Sequence, residues 1–493
     1  MEMDRDLQSI QEVRNLVARA RTAAAQLATF SQEQLDAICA AVASACEKEA
    51  ERLARMAVEE TGFGRWEDKV LKNQLGSTIV WNHIKNKRVV GILHDDTARK
   101  VIEIGVPMGV VAALIPSTNP TSTTMYKCLI ALKSGNAIVI SPHPGAKRCI
   151  TETFRIIEQA ARQAGAPDGA VTCVELTTME ATNALLKHRD VSIILATGGE
   201  AMVRAAYSSG NPALGVGPGN GPSFIEKSAD IPLAVRRIFA SKTFDNGTIC
   251  ASEQSIVVER CSEAAVVAAC TEQGGYFLTD EESRRLAAFM LRANGTMNPK
   301  IVGRTAQQIA AMADIAIPEG TRVLLSRQTE VSRSNPYARE KLCPVLAFYV
   351  ADDWEAACAL SISILQVEGS GHTMTIHSTN QQVIREFALK KPVSRLLVNT
   401  PGALGGVGAT TGLAPALTLG CGAVGGSATS DNIGPENLVN IRRVAWGLRE
   451  LEDLRQDTPT PVSAAAPQNE ALTPADIEAI TRAVIARLTA SHG

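Results

Sequence analysis

The first part of the chain carries apolar residues at a helical period. They lie three or four positions apart in two runs separated by Ser31: Ile10, Val13 and Val17, and then Leu35, Ile38 and Val42. This spacing places them on one face of each helix, and serine is a preferred residue at a helix N-cap. The pattern predicts helices over about the first 60 residues.

Beyond residue 100 the pattern changes to short apolar runs. They cover 110–115, 137–140, 171–174 and 191–196, with helical stretches at 146–164 and 179–187 among them. Strands that are apolar on both sides and alternate with helices are typical of parallel βαβ units, whose ligands bind beyond the carboxyl ends of the strands. The predicted fold class is α/β with a nucleotide-binding architecture.

After Glu226 the alternation continues and predicts a second α/β lobe. Its candidate strands are 254–258, 345–350, 372–377 and 395–398. Nine glycines lie among apolar residues between 402 and 426, which indicates an ordered loop packed against a ligand or another backbone. Residues 457–472 are rich in Pro, Ala, Thr and Ser, the composition of a linker.

A final helix is predicted over 473–493. Thr473 can cap it, with Pro474 at the first helical position. One apolar stripe follows: Ile477, Ile480, Val484, Ile485 and Leu488. An isolated helix of this length is marginal in water, so the stripe needs a partner. That partner is either the chain's own domain or oligomer, or the groove of another protein.

Composition excludes several classes of protein. The 493 residues carry 49 Lys+Arg against 51 Asp+Glu, and 45% are apolar. This balance argues against a disordered chain and against binding driven by nucleic-acid or lipid charge. The longest uncharged apolar stretch, 104–115, is too short to span a membrane, and residues 1–6 do not resemble a secretory signal. We expect a cytoplasmic protein.

The cysteines and histidines indicate no metal site. Eleven scattered cysteines contain no C-x-x-C pair, and seven histidines contain no H-E-x-x-H. Cys250 differs from the others because it lies in F-D-N-G-T-I-C-A-S-E-Q (244–254), between a predicted helix and a predicted strand. Its two interpretations are a nucleophile in a loop and a buried thiol that acts as a small hydrophobe.

Asn119 also has two interpretations. It lies in I-P-S-T-N-P-T-S (115–122), after a predicted strand and before Pro120. It is either a helix N-cap or a carboxamide aimed at a developing oxyanion. Two glycine segments add weaker signals. Thr197-Gly198-Gly199 opens a helix after a strand and can face a phosphate, whereas 215–220 lacks the spacing of a dinucleotide fingerprint.

Seven motifs in order resemble the aldehyde dehydrogenase superfamily, specifically its CoA-acylating branch. Besides 115–122 they are V-I-S-P-H-P (139–144), A-T-G-G (196–199), G-V-G-P-G-N (215–220), N-G-T-I-C-A-S-E-Q (246–254), E-K-L-C-P-V (340–345) and T-L-G-C-G-A-V-G-G (418–426). The resemblance implies a Rossmann-type NAD-binding domain (1–96 and 110–226) and an α/β catalytic domain (227–426). It also implies a small bridging sheet (97–109 and 427–450) that builds homodimers or homotetramers.

The resemblance also implies roles for individual residues. Cys250 matches the nucleophile and Asn119 the oxyanion-hole amide. The cofactor positions are Thr197, Gly198 and Gly199 at the pyrophosphate, Glu340 at the nicotinamide ribose, and Ser141, Pro142 and His143 where hydrolytic members have K-P-S-E. Residues 214–220 lack the glutamate that activates water in the hydrolytic branch. The implied cofactor is NAD, with NADP less favoured.

The implied reaction oxidises a short-chain aldehyde, propanal first, with NAD and coenzyme A to an acyl-CoA, reversibly, through a thioester on Cys250. The alternatives are an acetaldehyde-specific acylating enzyme, a hydrolytic enzyme with Glu226 or Glu253 as base, a CoA acyltransferase without a redox step, and a non-catalytic scaffold. The linker and helix at 457–493 resemble the encapsulation peptides of bacterial microcompartment enzymes. They predict a shell-protein partner and a location in the microcompartment lumen.

Overall fold

The computed structural model describes residues 4–456 and, in the tail, residues 475, 478, 479, 481 and 482. The chain forms two compact units, one of Met1–Asp96 with Ile102–Arg443 and one of Thr97–Val101 with Val444–Gly493. The described helices are α1 Arg5–Leu27, α2 Gln32–Lys48, α3 Ala50–Thr61, α4 Trp66–Gln74, α5 Val80–Ile84, α6 Pro120–Lys133, α7 Lys147–Gln163, α8 Met179–Leu186, α9 Glu200–Tyr207, α10 Ile231–Thr243, α11 Glu263–Glu272, α12 Asp280–Met290, α13 Ala306–Met312, α14 Trp354–Val367, α15 Gln381–Lys390, α16 Gly402–Gly406 and α17 Leu451–Gln456.

The strands fall into three sheets. They are β1 Gly91–Asp96, β2 Val101–Pro107, β3 Val110–Ile115, β4 Ala137–Pro142, β5 Val171–Cys173, β6 Ile193–Thr197, β7 Ala213–Val216, β8 Gly221–Ile225, β9 Glu253–Glu259, β10 Gly275–Phe277, β11 Val323–Arg327, β12 Val345–Ala351, β13 Gly371–His377, β14 Val393–Val398 and β15 Val439–Ala445. The α/β class is confirmed.

The helical beginning of the chain is also confirmed. Ser31 caps α2 in a capping box, in which its hydroxyl accepts from the Gln34 backbone N–H and the Gln34 side chain accepts from the Ser31 N–H. Val13, Val17 and Ile38 are buried in the core around the first sheet.

That first sheet has five parallel strands in the order β5-β4-β3-β6-β7. Strands β3 and β4 are buried along their whole length, as expected for strands covered by helices on both faces. The strand order reverses between β3 and β6. A crevice therefore opens there beyond the carboxyl ends of the strands, and ligands bind at such a position in open parallel sheets.

The second sheet has seven parallel strands in the order β10-β11-β12-β9-β8-β13-β14. The loop 217–220 joins β7 of the first sheet to β8 of the second. Cys250 comes three residues before β9, so this loop and the amino end of β9 meet between the two sheets.

The glycine-rich segment 402–426 is ordered, as predicted, and packs closely against other chain segments. A Cβ on Gly402 would lie 2.8 Å from the Glu253 carboxylate, and one on Gly425 would lie 2.5 Å from the Ser370 carbonyl oxygen. Side chains do not fit at these two positions, and this explains the glycines.

The third sheet has three strands in the order β1-β2-β15. Strand β1 belongs to it, although the sequence analysis grouped residues 91–96 with the cofactor-binding part. The predicted linker 457–472 lies outside the described residues. Of the predicted final helix, only residues 475, 478, 479, 481 and 482 are described, and these are helical. Among the described residues no helix is long and apolar enough to cross a membrane.

Candidate active site

A cavity of about 620 Å³ opens at the carboxyl ends of β3, β4 and β6. Its wall is completed by the loop 217–220, by the segment before β9 and by part of the glycine-rich segment. All nine residues predicted for the site line it: Asn119, Ser141, Pro142, His143, Thr197, Gly198, Gly199, Cys250 and Glu340. The structure therefore brings together residues from motifs spread over more than two hundred positions.

Cys250 is half-buried and lines this cavity. Burial raises the pKa of its thiol to about 12, the neighbouring Glu340 and Cys421 add to the shift, and the Arg395 guanidinium opposes it. The free protein therefore holds Cys250 as the thiol, and ionisation requires a change in its surroundings. Gly219 passes so close to Cys250 that a Cβ there would overlap the Cys250 carbonyl oxygen.

Asn119 occupies the N-cap position of α6, but its side chain makes no cap hydrogen bond. Instead its Oδ1 accepts from Lys72 Nζ at 2.6 Å, and its Nδ2 donates to the Thr248 carbonyl oxygen at 3.1 Å. The N-cap interpretation is therefore wrong for this side chain. The carboxamide is turned toward the loop that carries Cys250, and its role at an oxyanion stays a prediction.

The other end of the cavity has the features of a dinucleotide site. Thr197-Gly198-Gly199 ends β6 and opens α9, and a Cβ on Gly199 would meet nothing within 4 Å. The bare backbone of this turn therefore faces open space at a helix N-terminus, where phosphates bind. Glu200, in the first turn of α9, is paired with Arg204 at 3.0 Å.

His143 has a defined tautomer at this end of the cavity. Its Nδ1 accepts from the Gly145 backbone N–H at 3.0 Å, and burial lowers its pKa. A neutral ring that accepts at Nδ1 carries its proton on Nε2, so His143 offers a donor where hydrolytic relatives have a lysine.

Glu340 is fixed on the opposite wall. Its Oε1 accepts from the Gly219 N–H at 2.8 Å, and its own N–H donates to Glu368 at 2.7 Å. Burial raises the pKa of Glu340 to about 8, and the Glu368 carboxylate adds to the shift. Gly219 thus bridges the carboxyl of Glu340 and the backbone of Cys250.

The comparison with known proteins decides the family. The sequence model of the aldehyde dehydrogenase family matches residues 6–402. The chain belongs to the aldehyde dehydrogenase family. It is 43% identical over 442 residues to the bifunctional aldehyde-alcohol dehydrogenase AdhE of Escherichia coli, a match that covers 89% of this chain and 50% of that protein. The chain therefore corresponds to about half of that relative.

Solved structures give the same result. A probable aldehyde dehydrogenase from Listeria monocytogenes is 60% identical with a TM-score of 0.91, over 92% of this chain and 100% of that one. An acetylating aldehyde dehydrogenase from Geobacillus thermoglucosidasius is 50% identical with a TM-score of 0.89, over 91% and 99%. A propionaldehyde dehydrogenase from a Clostridium phytofermentans fucose utilisation microcompartment is 26% identical with a TM-score of 0.80, over 88% and 97%. The predicted resemblance to the CoA-acylating branch of the aldehyde dehydrogenases is confirmed.

The two carboxylates considered as a base for a hydrolytic aldehyde dehydrogenase do not line the cavity. Glu253 accepts from the Gly402 N–H at 2.8 Å, and burial raises its pKa to about 7. Glu226 is buried and is hydrogen-bonded to Ser228 and to Ser378. Both serve the packing of the second sheet.

Two buried lysines next to Asn119 were not predicted from the sequence. Lys69 and Lys72 of α4 contact Asp245, which lies in the segment 244–252 that carries Cys250, here called the cysteine loop. Two lysines three residues apart on a helix are usually solvent-exposed, so the sequence carries no local signal of their burial. Among the described residues no group of three or more His, Cys, Asp and Glu side chains can hold a metal ion.

Proposed function

We propose that this aldehyde dehydrogenase is CoA-acylating and oxidises a short-chain aldehyde with NAD and coenzyme A to an acyl-CoA. The observation that carries the proposal is the single cavity. It combines a half-buried cysteine, a carboxamide at 119 and an open glycine turn, and residues 214–220 bring no carboxylate into it.

We infer a role for each sheet. The five-stranded sheet, within 110–226, belongs with 1–90 to the part that binds the cofactor. The seven-stranded sheet, within 227–426 apart from β8, carries the nucleophile. The three-stranded sheet, from 91–107 and 439–445, joins subunits into a dimer or tetramer.

The cavity fits a nicotinamide dinucleotide. Thr197, Gly198 and Gly199 offer backbone N–H groups for a pyrophosphate. Ser141, Pro142 and His143 line the same cavity, and we assign them to the adenosine. Glu340 offers carboxyl oxygens for the nicotinamide ribose. When bound, the nicotinamide accepts the hydride that the aldehyde carbon loses.

Cys250 performs the covalent steps. Its sulfur, as thiolate, bonds to the aldehyde carbon while the carbonyl electrons move to oxygen, and the thiol proton leaves to solvent. The Asn119 amide donates to that oxyanion. Loss of hydride from the carbon restores the carbonyl and leaves a thioester on Cys250. The thiolate of coenzyme A then bonds to the acyl carbon and displaces Cys250, so one thioester replaces another and the exchange is reversible.

The test is NADH formation from propanal with and without coenzyme A. We expect steady turnover with coenzyme A and at most one NADH per site without it. Cys250→Ala removes both, whereas Cys421→Ala, which alters the buried cysteine beside it, keeps both. Sustained acid formation without any thiol would restore the hydrolytic alternative. Acyl transfer without NADH would indicate the acyltransferase.

The aldehyde itself is proposed as propanal, with acetaldehyde as the second candidate. The 26% identical propionaldehyde dehydrogenase from Clostridium phytofermentans supports propanal. The 50% identical acetylating relative favours acetaldehyde. The values of kcat/KM for acetaldehyde and propanal distinguish the two candidates. A higher kcat/KM for acetaldehyde than for propanal would overturn the choice of propanal.

We further propose that the tail directs the enzyme to a microcompartment shell protein. In the described part of the tail, Arg482 donates to Glu478 at 2.7 Å, a pairing that supports a helix with these two charges on its polar side. Fusing 472–493 to a fluorescent protein should direct it into shells. Deleting 458–493 should keep catalysis and oligomerisation but abolish encapsulation. This role would be refuted if the fusion protein stayed diffuse in the cell while the truncated enzyme was still encapsulated.

A further inference from the structure

A buried ammonium group lies directly behind the Asn119 carboxamide. Lys72 Nζ donates to Asn119 Oδ1 at 2.6 Å and to the Thr248 carbonyl oxygen at 3.0 Å, and it is also paired with the Asp245 carboxylate. The Lys72 side chain is 2% exposed. A lysine is rarely buried this completely unless its charge is used, because removing an ammonium from water is costly.

Lys72 settles which way the amide of Asn119 faces. An ammonium has only hydrogens to offer, so the group that faces it must be Oδ1. The amide nitrogen then donates to the Thr248 carbonyl oxygen, two residues before Cys250, an oxygen that Lys72 also contacts. Without Lys72, Oδ1 would be free to accept from the first N–H groups of α6, the ordinary behaviour of an asparagine at an N-cap.

The charges around Lys72 hold it in place. The Asp245 carboxylate accepts from Lys69 at 2.9 Å, from the Arg65 N–H at 2.8 Å and from the Thr248 hydroxyl at 2.7 Å, besides its contact with Lys72. Burial opposes its charge, but the two lysines outweigh this and lower the pKa of Asp245. Asp245 therefore stays an anion and anchors both lysines.

Lys69 differs from Lys72 in one respect. It shares the helix, the burial and the Asp245 partner, but its second contact is the Thr118 carbonyl oxygen at 2.9 Å. Asn119 receives its hydrogen bond from Lys72. Substitutions of the two lysines can therefore distinguish a role in packing around Asp245, which both share, from a role in orienting the Asn119 amide, which only the Lys72 contact supports.

We propose that Lys72 is a positioning residue that orients and polarises the Asn119 carboxamide as an oxyanion donor. This inference rests on the proposed function, because it assumes that an oxyanion forms on the carbon attached to Cys250. The ammonium acts through the amide, so its contribution requires the Asn119 side chain.

The experiment is a double-mutant cycle on hydride transfer, measured as the pre-steady-state formation of NADH. We expect Lys72→Met to lower this rate about 10²-fold, the order of loss for a misplaced catalytic group, with the KM for NAD changed little. In the Asn119→Ala background the same substitution should lower the rate less than about threefold, because the group through which it acts is gone. Lys69→Met, the matched control, should lower the melting temperature as much as Lys72→Met but the rate less than about threefold.

Two results would overturn the proposal: an equal loss of rate in Lys69→Met, or a full additional 10²-fold loss when Lys72→Met is combined with Asn119→Ala. If Lys72→Met does not fold, Lys72→Arg completes the same cycle. It keeps a positive charge beside the Asp245 carboxylate but replaces the ammonium by a planar guanidinium group. Failure of the proposed function is recognised separately, because then Cys250→Ala would still form NADH.

Discussion

Replacing Asn119 by alanine separates catalysis from stability. The substitution removes the amide that faces the cysteine loop and leaves the backbone of α6 unchanged. Since the Asn119 side chain makes no cap hydrogen bond, α6 loses no cap. Lys72 loses one acceptor but keeps Asp245 and the Thr248 carbonyl oxygen.

The expected magnitudes follow from these contacts. Loss of one oxyanion donor raises the barrier by about 2.7–4 kcal/mol, equivalent to a 10²–10³-fold lower kcat. The loss of stability should stay below the roughly 1 kcal/mol typical of a lost N-cap, because the lysine remains paired. The rate should therefore fall far more than the melting temperature.

The assay is the rate of NADH formation at saturating aldehyde, NAD and coenzyme A, together with a thermal melt. Asp230→Ala is the matched control. Asp230 is an exposed N-cap whose side chain accepts from the Leu233 N–H at 3.0 Å, also with a proline in the first turn of its helix. We expect Asp230→Ala to lose about 1 kcal/mol of stability with normal turnover.

A kcat within threefold of the wild type in Asn119→Ala would refute the oxyanion role. A melting temperature lowered as much as in Asp230→Ala, with normal turnover, would return Asn119 to the role of a structural cap.

Three further outcomes are expected. Gly219→Ala forces a methyl group onto the Cys250 carbonyl oxygen, so it should lower the free energy of unfolding by about 1–3 kcal/mol and remove most of the turnover. Gly412→Ala is the control, because its methyl group meets nothing within 4 Å and should change neither quantity; equal behaviour of the two variants would contradict the close approach of Gly219 to Cys250. The pKa of Cys250, about 12, leaves about 10⁻⁴ of its thiol ionised at pH 8, so the rate of its alkylation should rise about tenfold per pH unit. Measured by mass spectrometry, this alkylation should be far slower than that of the exposed Cys261 in the same protein, and equal labelling of the two at neutral pH would contradict the raised pKa. Glu340→Gln keeps an acceptor for Gly219 but loses the carboxyl, so the KM for NAD should rise about tenfold with unchanged melting; an unchanged KM would remove Glu340 from the cofactor site.

Local signals in the sequence predicted the elements well. The strand predicted at 110–115 is β3 with the same bounds, and Ser31 caps α2, as a serine before an apolar helical run indicates. These features depend on residues within a few positions of one another. Strand β1 was not predicted, because most of its residues are exposed and it contains no apolar run that indicates a strand.

The site was predictable where a motif carries its own chemistry, and not where distant segments supply it. Lys72 and Asp245 are 173 positions apart, and only the docking of α4 against the cysteine loop buries them together. Asn119 shows the limit most clearly. Its sequence context fits a cap and an oxyanion donor equally, and the hydrogen bond that its Oδ1 accepts in place of a cap bond comes from a lysine 47 positions away.

On the proposed mechanism, the same cavity must keep the acyl-enzyme from hydrolysis until a thiol arrives. Hydrolysis needs a group that takes a proton from water beside the thioester. Three titratable side chains besides Cys250 line the cavity: Glu200, whose charge is paired with Arg204; His143, whose Nδ1 is already an acceptor; and Glu340. Among the charged groups, Glu340 contributes most to the raised pKa of Cys250, but its Oε1 already accepts from the Gly219 N–H, and burial raises its own pKa to about 8. A thiol has a far lower pKa than water and reaches the acyl carbon as its own anion without that help. On the proposed mechanism, the selection of coenzyme A over water follows from the engagement of these three side chains and from the absence of a carboxylate in residues 214–220.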